Sequence, residues 1–219
     1  MLKAVVFDLD GTLLDTIPDI AAGLNAALAF CGLPTHPVRD FEAFVGGGIR
    51  QAVLSAAPEG TEEETVRRIL DHYRVGYLEN CTVETDYYPG VREMLAALEE
   101  RGAALGVLSN KTEGTARKIV GHYFPNVPFR CVYGRTDTRP LKPDAGAAAP
   151  VLADLGLQPG EIAYVGDSGT DITFAKAAGF VPVGVSWGYR SRQDLEACGG
   201  EHIFDTMAQL QSWLLANME

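Results

Sequence analysis

The sequence lacks a basic surplus, which excludes one large class of binding protein. Its 219 residues contain 18 lysines and arginines against 29 aspartates and glutamates, so the formal net charge is −11. Proteins that bind nucleic acid need a basic surface to neutralise phosphates, and we therefore expect no nucleic-acid partner. The same negative charge repels a small anionic substrate at long range, so such a substrate must be held by local cations.

Long apolar runs and paired cysteines are also missing. No uninterrupted apolar stretch approaches the roughly 18 residues of a membrane-spanning helix, and no charged and apolar leader opens the chain. The four cysteines form no Cys-x-x-Cys pair and have no histidines at zinc-finger spacing. We therefore predict reduced thiols, a cytoplasmic location and no membrane partner.

Short apolar runs alternate with helical patterns along most of the chain. The strand-like runs are 4–7, 104–108, 131–133, 162–165 and 181–185, and the helical patterns between the later ones are 91–101, 115–123, 145–155 and 172–178. This alternation is typical of βαβ units. The predicted fold class is α/β, a Rossmann-like parallel sheet with helices on both faces.

The segment between the first two runs is too long for one crossover connection. Apolar residues recur at helical spacing over 17–30, and 39–44, 49–57 and 62–78 continue the helical pattern. We therefore predict an inserted α-helical cap domain, residues 16–85, over the active end of the sheet. Residues 1–15 and 86–219 form the Rossmann-like core in this prediction.

Polar residues follow the apolar runs at four places. They are Asp8-x-Asp10-Gly11-Thr12, Ser109-Asn110-Lys111, Lys142-Pro143 and Asp167-Ser168-Gly169-Thr170-Asp171. Ligands of open α/β sheets bind beyond the carboxyl ends of the strands, so the four places are expected to converge. Residues two apart on a strand point the same way, and two close carboxylates require a proton or a cation between them. The set supplies the parts of a phosphoryl-transfer site.

Each of these residues also has a purely structural interpretation. Ser109 and Asn110 can cap the helix that follows them, and Asp171 can favour the start of its own helix. Lys142 can be a solvated loop lysine. Lys111 can lie at the rim or contact a substrate, and the sequence does not decide between these two.

The four motifs together resemble those of the haloacid dehalogenase-like phosphohydrolases, over the whole chain. They are DLDGTLLDT (8–16), LSNK (108–111), Lys142 and GDSGTD (166–171). The segments IPD (17–19), SNK (109–111) and SWGYRS (186–191) are most similar to the C1-capped phosphoglycolate phosphatases and their near relatives. The predicted function is thus a phosphomonoesterase acting on a small phosphorylated metabolite, with 2-phosphoglycolate as the first choice.

The resemblance implies an aspartyl-phosphate mechanism with Mg²⁺ as the cofactor. Asp8 is the nucleophile, Asp10 the general acid and base, and Lys142 the cation that neutralises charge. The implied metal ligands are Asp8, Asp10 through its carbonyl, and Asp167, with Asp171 acting through a water. The predicted phosphate-binding residues are Gly11, Thr12, Ser109, Asn110 and Lys142.

The choice of leaving group is predicted to lie in the cap, at Gly47 and Arg50. Glycines permit close approach of the backbone, and arginine can pair with a substrate carboxylate; the rival interpretation is a turn with a surface arginine. The remaining alternatives are a β-phosphoglucomutase-like phosphomutase, a phosphatase for another sugar phosphate, a nucleotide or pyrophosphate, and a receiver-like phosphoacceptor. The mutase is disfavoured because Ile20 lies where mutases have a histidine. The expected partner is the metabolite, and the protein is expected to be a monomer or homodimer.

Overall fold

The computed structural model describes residues 1–218 and contains a six-stranded parallel sheet. The strands are β1 (Ala4–Phe7), β2 (Leu14–Asp15), β3 (Asp86–Tyr87), β4 (Ala104–Thr112), β5 (Phe129–Arg135), β6 (Ile162–Gly166), β7 (Val181–Val185) and β8 (His202–Phe204). The order in the large sheet is β5-β4-β1-β6-β7-β8, and every neighbouring pair in it is parallel. β2 and β3 form a separate two-stranded pair.

Helices follow most of these strands. The α-helices are α1 (Ile17–Phe30), α2 (Phe41–Phe44), α3 (Ile49–Ala56), α4 (Glu63–Asn80), α5 (Val91–Glu100), α6 (Glu113–Tyr123), α7 (Ala149–Leu155), α8 (Gly169–Ala178), α9 (Arg192–Ala197) and α10 (Met207–Ala216). Short 3₁₀ helices lie at Val38–Asp40, Ala145–Ala148 and Pro159–Glu161. Among the described helices, none has both the length and the apolar composition that a bilayer crossing requires.

The middle of the sheet is β1, which pairs with β4 on one side and β6 on the other. All four of its residues are fully buried. An uninterrupted apolar strand buried on both faces is typical of the centre of a parallel sheet. The carboxyl ends of β1, β4 and β6 therefore lie side by side, and the residues that follow these strands emerge at one edge.

Side chains of β1 are buried on both faces of the sheet, since successive residues of a strand point to opposite sides. Ala4 and Val6 belong to one buried cluster with Tyr164 of β6 and Phe174 of α8. Val5 and Phe7, on the other side, are equally buried. The predicted fold class is confirmed by this sheet.

The chain divides into two compact units. One consists of Met1–Leu14 and the chain from Tyr87 onward, and it holds the large sheet; the other is Asp15–Asp86 and holds α1 to α4. The chain passes from one unit to the other within β2 and again within β3. The action of the helical unit as a cap stays a prediction.

Within the helical unit, α1 packs closely against α4. Gly23 of α1 lies against the ring of Tyr73, since a Cβ at that position would stand 3.1 Å from Tyr73 Cε2. Tyr73 and Tyr77 stack with ring centroids 4.8 Å apart. Leu24 and Leu28 of α1 are fully buried. The periodic apolar residues of the predicted helix 17–30 are thus buried, except Phe30 at its end, which is exposed.

Asp19, in the first turn of α1, binds the segment that leads into β3. Its Oδ2 accepts hydrogen bonds from the N–H groups of Val83 and Thr85, both at 3.0 Å, and its Oδ1 accepts one from Glu84 N at 2.9 Å. The Thr85 hydroxyl donates to Oδ2 at 2.7 Å. Asp19 and Thr85 are each only 5% exposed. The carboxylate therefore satisfies donors that are largely withdrawn from water.

The structure differs from the predicted elements at several places. β4 continues through Ser109–Lys111 because the strand stays paired with β5 as far as Thr112, although with shifts in register. The helix predicted over 172–178 begins at Gly169 because Ser168 caps it. β8 and α9 were not predicted because they are too short to show a clear apolar period. α10, at the end of the chain, was not predicted either. β2 and β3 have two residues each, which is too short for a sequence pattern to predict them.

We predict that Asp19→Ala lowers the free energy of unfolding by about 3 kcal/mol, because several buried donors lose a charged acceptor at once. The matched control is Asp71→Ala on α4, whose side chain is 74% exposed and pairs only with Arg74 among the ion pairs of the described residues. The control is expected to change stability by less than about 0.5 kcal/mol. Urea unfolding followed by far-UV circular dichroism measures both, and equal stabilities would contradict the role given to Asp19.

Candidate active site

Asp8 and Asp10 lie in a tight turn directly after β1. The strand ends at Phe7, and the N–H groups of residues 12–14 donate to the Leu9 carbonyl at 3.1 to 3.3 Å. This turn and the hydrogen bond from Asp8 N to the Val165 carbonyl of β6, at 2.8 Å, together place the two carboxylates. Each carboxylate contacts a different lysine.

The Asp8 carboxylate is held at both of its oxygens. Oδ1 accepts a hydrogen bond from Leu9 N at 2.8 Å, and Oδ2 lies 3.1 Å from Lys142 Nζ. Burial raises the pKa of Asp8 to about 6, Lys142 opposes this rise, and the charges of Asp171 and Asp10 add to it. The charged form of this carboxylate thus depends on positive charge close by.

Lys142 is a buried cation at the centre of the site. Its Nζ lies 2.6 Å from Asp171 Oδ1, 2.7 Å from the Tyr164 hydroxyl and 3.1 Å from Asp8 Oδ2. Burial alone lowers the pKa of Lys142, but Asp171 and Asp8 outweigh burial and hold the pKa above its ordinary value. The residue is only 4% exposed, which excludes the interpretation as a solvated loop lysine.

Asn110 holds the backbone of Lys142. Its Oδ1 accepts from Lys142 N at 2.8 Å, and its Nδ2 donates to the Lys142 carbonyl at 3.0 Å. The sequence predicted phosphate binding for Asn110; that role stays a prediction, while the described contacts position the lysine. The capping interpretation of Ser109 and Asn110 is wrong, because the N-cap of α6 is Thr112.

Ser109 lies near the end of β4 with only 4% of its surface exposed. Its hydroxyl oxygen accepts a hydrogen bond from Lys111 N at 3.3 Å. A serine hydroxyl that accepts can also donate, so this contact is compatible with the predicted binding of a phosphoryl oxygen.

Asp171 starts α8, as the structural interpretation predicted, and also contacts Lys142, while its water-mediated contact with a metal stays a prediction. Its Oδ2 accepts from Ser168 N at 3.1 Å and from Ser168 Oγ at 2.6 Å, and Ser168 Oγ accepts from Asp171 N in return, a capping box that starts α8. Its Oδ1 binds Lys142. One carboxylate thus begins a helix and holds the buried lysine.

Tyr164 is a residue of this site that the motifs did not reveal. Its hydroxyl donates to the Leu108 carbonyl at 2.7 Å and accepts from Lys142 Nζ. Its ring packs edge-on against Phe174, with centroids 4.9 Å apart. Burial, together with the charges of Asp8 and Asp171, raises the pKa of Tyr164 well above its usual range. The one signal in the sequence is a polar aromatic residue in an otherwise apolar strand.

Three carboxylates form a cluster whose chemistry fits the predicted metal. Asp8, Asp167 and Asp171 each offer an oxygen, and these atoms lie within 4.8 Å of one another. Burial raises the pKa of Asp167 well above its usual range, and the charges of Asp171 and Asp8 raise it further. Closely spaced carboxylate oxygens with unfavourable mutual charge are the donor set that a hard divalent cation such as Mg²⁺ relieves.

The segment 186–191 forms hydrogen bonds with residues of this site. Tyr189 N donates to Asp167 Oδ2 at 2.7 Å, and Trp187 Nε1 donates to the Thr12 carbonyl at 3.2 Å. The sequence marked this segment as a family resemblance without giving it a role. The structure shows that its backbone and indole hold two of the motif segments.

Glycines allow this close packing around Asp167. Gly11 has φ +78°, and a Cβ there would stand 2.2 Å from Asp167 Oδ2. A Cβ at Gly188 would stand 2.2 Å from the Gly11 carbonyl oxygen. Next to Gly11, the Thr12 hydroxyl is buried and has no hydrogen-bond partner among the described residues. Gly11 and Thr12 were predicted to bind phosphate, and this stays a prediction.

Asp10 pairs with Lys111. Lys111 Nζ lies 3.1 Å from Asp10 Oδ1, and the lysine side chain is only 6% exposed while that of Asp10 is 20% exposed. This burial excludes the interpretation of Lys111 as a rim residue. The site therefore has two lysine–aspartate contacts, Lys142 with Asp8 and Lys111 with Asp10.

Gly47 and Arg50 lie in the helical unit. The Arg50 guanidinium forms two parallel hydrogen bonds with the Glu63 carboxylate, at 3.0 and 2.8 Å, in an exposed position. A Cβ at Gly47 would stand 3.1 Å from Gln51 Cγ. The contact of these residues with a leaving group stays a prediction.

Comparison with known proteins identifies the family. The model of the haloacid dehalogenase-like hydrolases matches residues 5–185. A phosphoglycolate phosphatase of Rhodospirillum rubrum is 35% identical to this chain, over 98% of this chain and 91% of its own length. The chain belongs to the haloacid dehalogenase-like hydrolase family.

Solved structures agree with this assignment. A protein from Lactobacillus delbrueckii subsp. bulgaricus has a TM-score of 0.92 and 28% identity, with 98% of this chain and 99% of that one covered. A protein of Haemophilus somnus described as a predicted phosphoglycolate phosphatase has a TM-score of 0.88 and 29% identity, with 97% and 98% covered. The predictions of the family and of a hydrolase related to phosphoglycolate phosphatases are confirmed.

We predict that Tyr164→Phe lowers the free energy of unfolding by about 2 kcal/mol, because the buried ammonium of Lys142 and the Leu108 carbonyl each lose a hydrogen-bond partner. The phenyl ring keeps the packing against Phe174. The matched control is Tyr133→Phe, whose hydroxyl bonds to Asp154 in an exposed position, and the expected cost is below about 1 kcal/mol. Thermal and urea unfolding compare the two, and a larger loss in the control would overturn this account.

Proposed function

We propose that the protein is a Mg²⁺-dependent phosphomonoesterase of small phosphorylated metabolites, with 2-phosphoglycolate as its substrate. The observation that carries the proposal is the separation of the two motif carboxylates into different environments. Asp8 contacts Lys142 beside the carboxylate cluster, while Asp10 contacts Lys111. Two carboxylates with different partners can do two different tasks, one as nucleophile and one as acid and base.

Asp8 is the nucleophile in this proposal. One of its oxygens attacks phosphorus, an Asp8–phosphorus bond forms, and the bond from phosphorus to the ester oxygen breaks. Asp10 gives its proton to the departing alkoxide. In the second half, Asp10 takes a proton from a water that attacks phosphorus, so that the Asp8–phosphorus bond breaks and inorganic phosphate leaves.

The residues proposed to hold Mg²⁺ are Asp8, the carbonyl of Asp10 and Asp167, with Asp171 acting through a water. The chemistry that the ion supplies when bound is neutralisation of charge on the phosphoryl oxygens and the clustered carboxylates. Lys142 adds a second positive charge beside Asp8, held in place by Asp171, Tyr164 and Asn110. Ser109 and the backbone of Gly11 and Thr12 are proposed to bind the phosphoryl oxygens.

The choice of substrate is supported by the relatives, several of which carry the name phosphoglycolate phosphatase. The helical unit is proposed to act as the cap, and Gly47 and Arg50 as residues that read the leaving group. A cytoplasmic location is part of the same proposal, and the oligomeric state is proposed to be monomer or homodimer.

We expect steady-state hydrolysis of 2-phosphoglycolate to require Mg²⁺ and to stop in EDTA, with recovery when Mg²⁺ is restored. Phosphate release is measured over a panel that includes hexose phosphates, nucleotides and pyrophosphate. Asp167→Asn is expected to raise the Mg²⁺ concentration needed for half-maximal rate by about 10-fold or more, because a carboxylate ligand loses its charge. Equal rates with and without EDTA would contradict the metal-dependent mechanism. A higher kcat/KM for a hexose phosphate would contradict 2-phosphoglycolate as the substrate.

We expect Asp8→Asn and Asp10→Asn to lower the rate of ester hydrolysis in different ways. Without the nucleophile, Asp8→Asn should hydrolyse no ester at a measurable rate. Asp10→Asn should lower kcat by about 10²–10⁴-fold on alkyl esters, and by less on p-nitrophenyl phosphate, whose leaving group needs no proton. Asp205→Asn, far along the chain and paired with Arg192, is the control. The same loss on both kinds of ester would contradict the acid role of Asp10.

A further inference from the structure

We propose that Lys111 contacts the substrate and selects leaving groups that carry a carboxylate close to the ester oxygen. The inference rests on the proposed function, in particular on Asp10 as the residue that protonates the leaving group. It adds Lys111, a residue of the large unit, to the leaving-group recognition that is also proposed for Gly47 and Arg50.

The position of Lys111 follows from its contact with Asp10. A residue that protonates a leaving oxygen must lie within hydrogen-bond reach of that oxygen. Lys111 Nζ lies 3.1 Å from Asp10 Oδ1. The ammonium group therefore lies on the leaving-group side of the phosphorus. In 2-phosphoglycolate only two carbon atoms link the ester oxygen and the carboxylate, so the carboxylate falls in the neighbourhood of this cation.

The backbone that carries Lys111 is firmly placed. Its N–H donates to Ser109 Oγ at 3.3 Å within β4. Gly134 of β5 packs against it so closely that a Cβ there would stand 2.5 Å from the Lys111 carbonyl oxygen. A side chain that starts from a fixed backbone and is only 6% exposed holds its charge in a small volume. Such a preorganised cation suits the recognition of a small anion.

The negative charges of the protein and of the substrate carboxylate favour a second cation on the leaving-group side of the phosphorus. Lys142 faces two carboxylates, those of Asp8 and Asp171. A protein with a net charge of −11 disfavours an additional carboxylate unless a local cation receives it. An ammonium group carries three N–H donors, so contact with Asp10 and contact with a substrate oxygen are compatible.

The test compares two esters of similar size, 2-phosphoglycolate and ethyl phosphate, which lacks the carboxylate. Lys111→Met keeps the length of the side chain and removes its charge. We expect this variant to lose about 100-fold in kcat/KM on 2-phosphoglycolate, mostly through KM, because a buried charge pair loses one partner. The loss on ethyl phosphate should be less than about 5-fold, since that ester makes no such contact. Lys111→Arg should recover part of the lost preference.

A purely supporting role for Lys111 gives a different result. If the lysine only orients Asp10, Lys111→Met loses the same factor on both alkyl esters and little on p-nitrophenyl phosphate, and the inference is wrong. If Lys111→Met does not fold, Lys111→Gln gives the same comparison because it also removes the charge, and a carboxylate preference unchanged in Lys111→Gln overturns the inference. Lys118→Met, an exposed position on α6, is the control for loss of a lysine.

Failure of the proposed function gives a different result, which is measured on the wild-type protein. In that case the wild type has a higher kcat/KM for another ester of the panel than for 2-phosphoglycolate. The Lys111 comparison uses ratios between variant and wild type on the two small esters, so it still gives an answer in that case. If the ratio of kcat/KM between variant and wild type is the same for both esters, Lys111 does not recognise the carboxylate, whichever substrate the wild type prefers.

Discussion

A buried ammonium group organises the active edge of the sheet. A lysine withdrawn from water is costly unless its charge is paired and its donors are bonded. Lys142 meets this requirement with Asp8 after β1, Tyr164 of β6 and Asp171 of α8, while Asn110 of β4 holds its backbone. Residues of β4, β6 and α8 and the turn after β1 thereby contact one lysine, and the geometry of the site depends on keeping its charge paired.

The second lysine gives the site its asymmetry. Asp8 and Asp10 are two residues apart, yet one contacts Lys142 and the other Lys111. Asp8 shares its surroundings with the buried carboxylates of Asp167 and Asp171, whose mutual repulsion favours a cation. Asp10 is the more exposed of the two carboxylates. Division of labour between two identical side chains thus follows from what each one touches.

Much of the site was predictable from the sequence because its aspartates directly follow apolar runs and Lys142 lies in the loop after another one. The parallel sheet brings the ends of such runs together, so Asp8, Lys142 and Asp167 were expected near one another. Tyr164 and the segment 186–191 were not given roles, because their contacts are made across the fold. Tyr189 binds Asp167 through its backbone N–H, and a backbone contact has no signature in side-chain pattern.

The amino-acid sequence by itself determined the α/β class and the residues that bring chemistry to the end of the first strand. These follow from local properties: an unbroken apolar run, helical periodicity and carboxylates placed after a strand. The tertiary structure decided which partner each residue has. Asn110 bonds to Lys142, Lys111 is buried against Asp10, and Arg50 pairs with Glu63. Such pairings depend on distances between residues far apart in the chain, which only the folded packing sets.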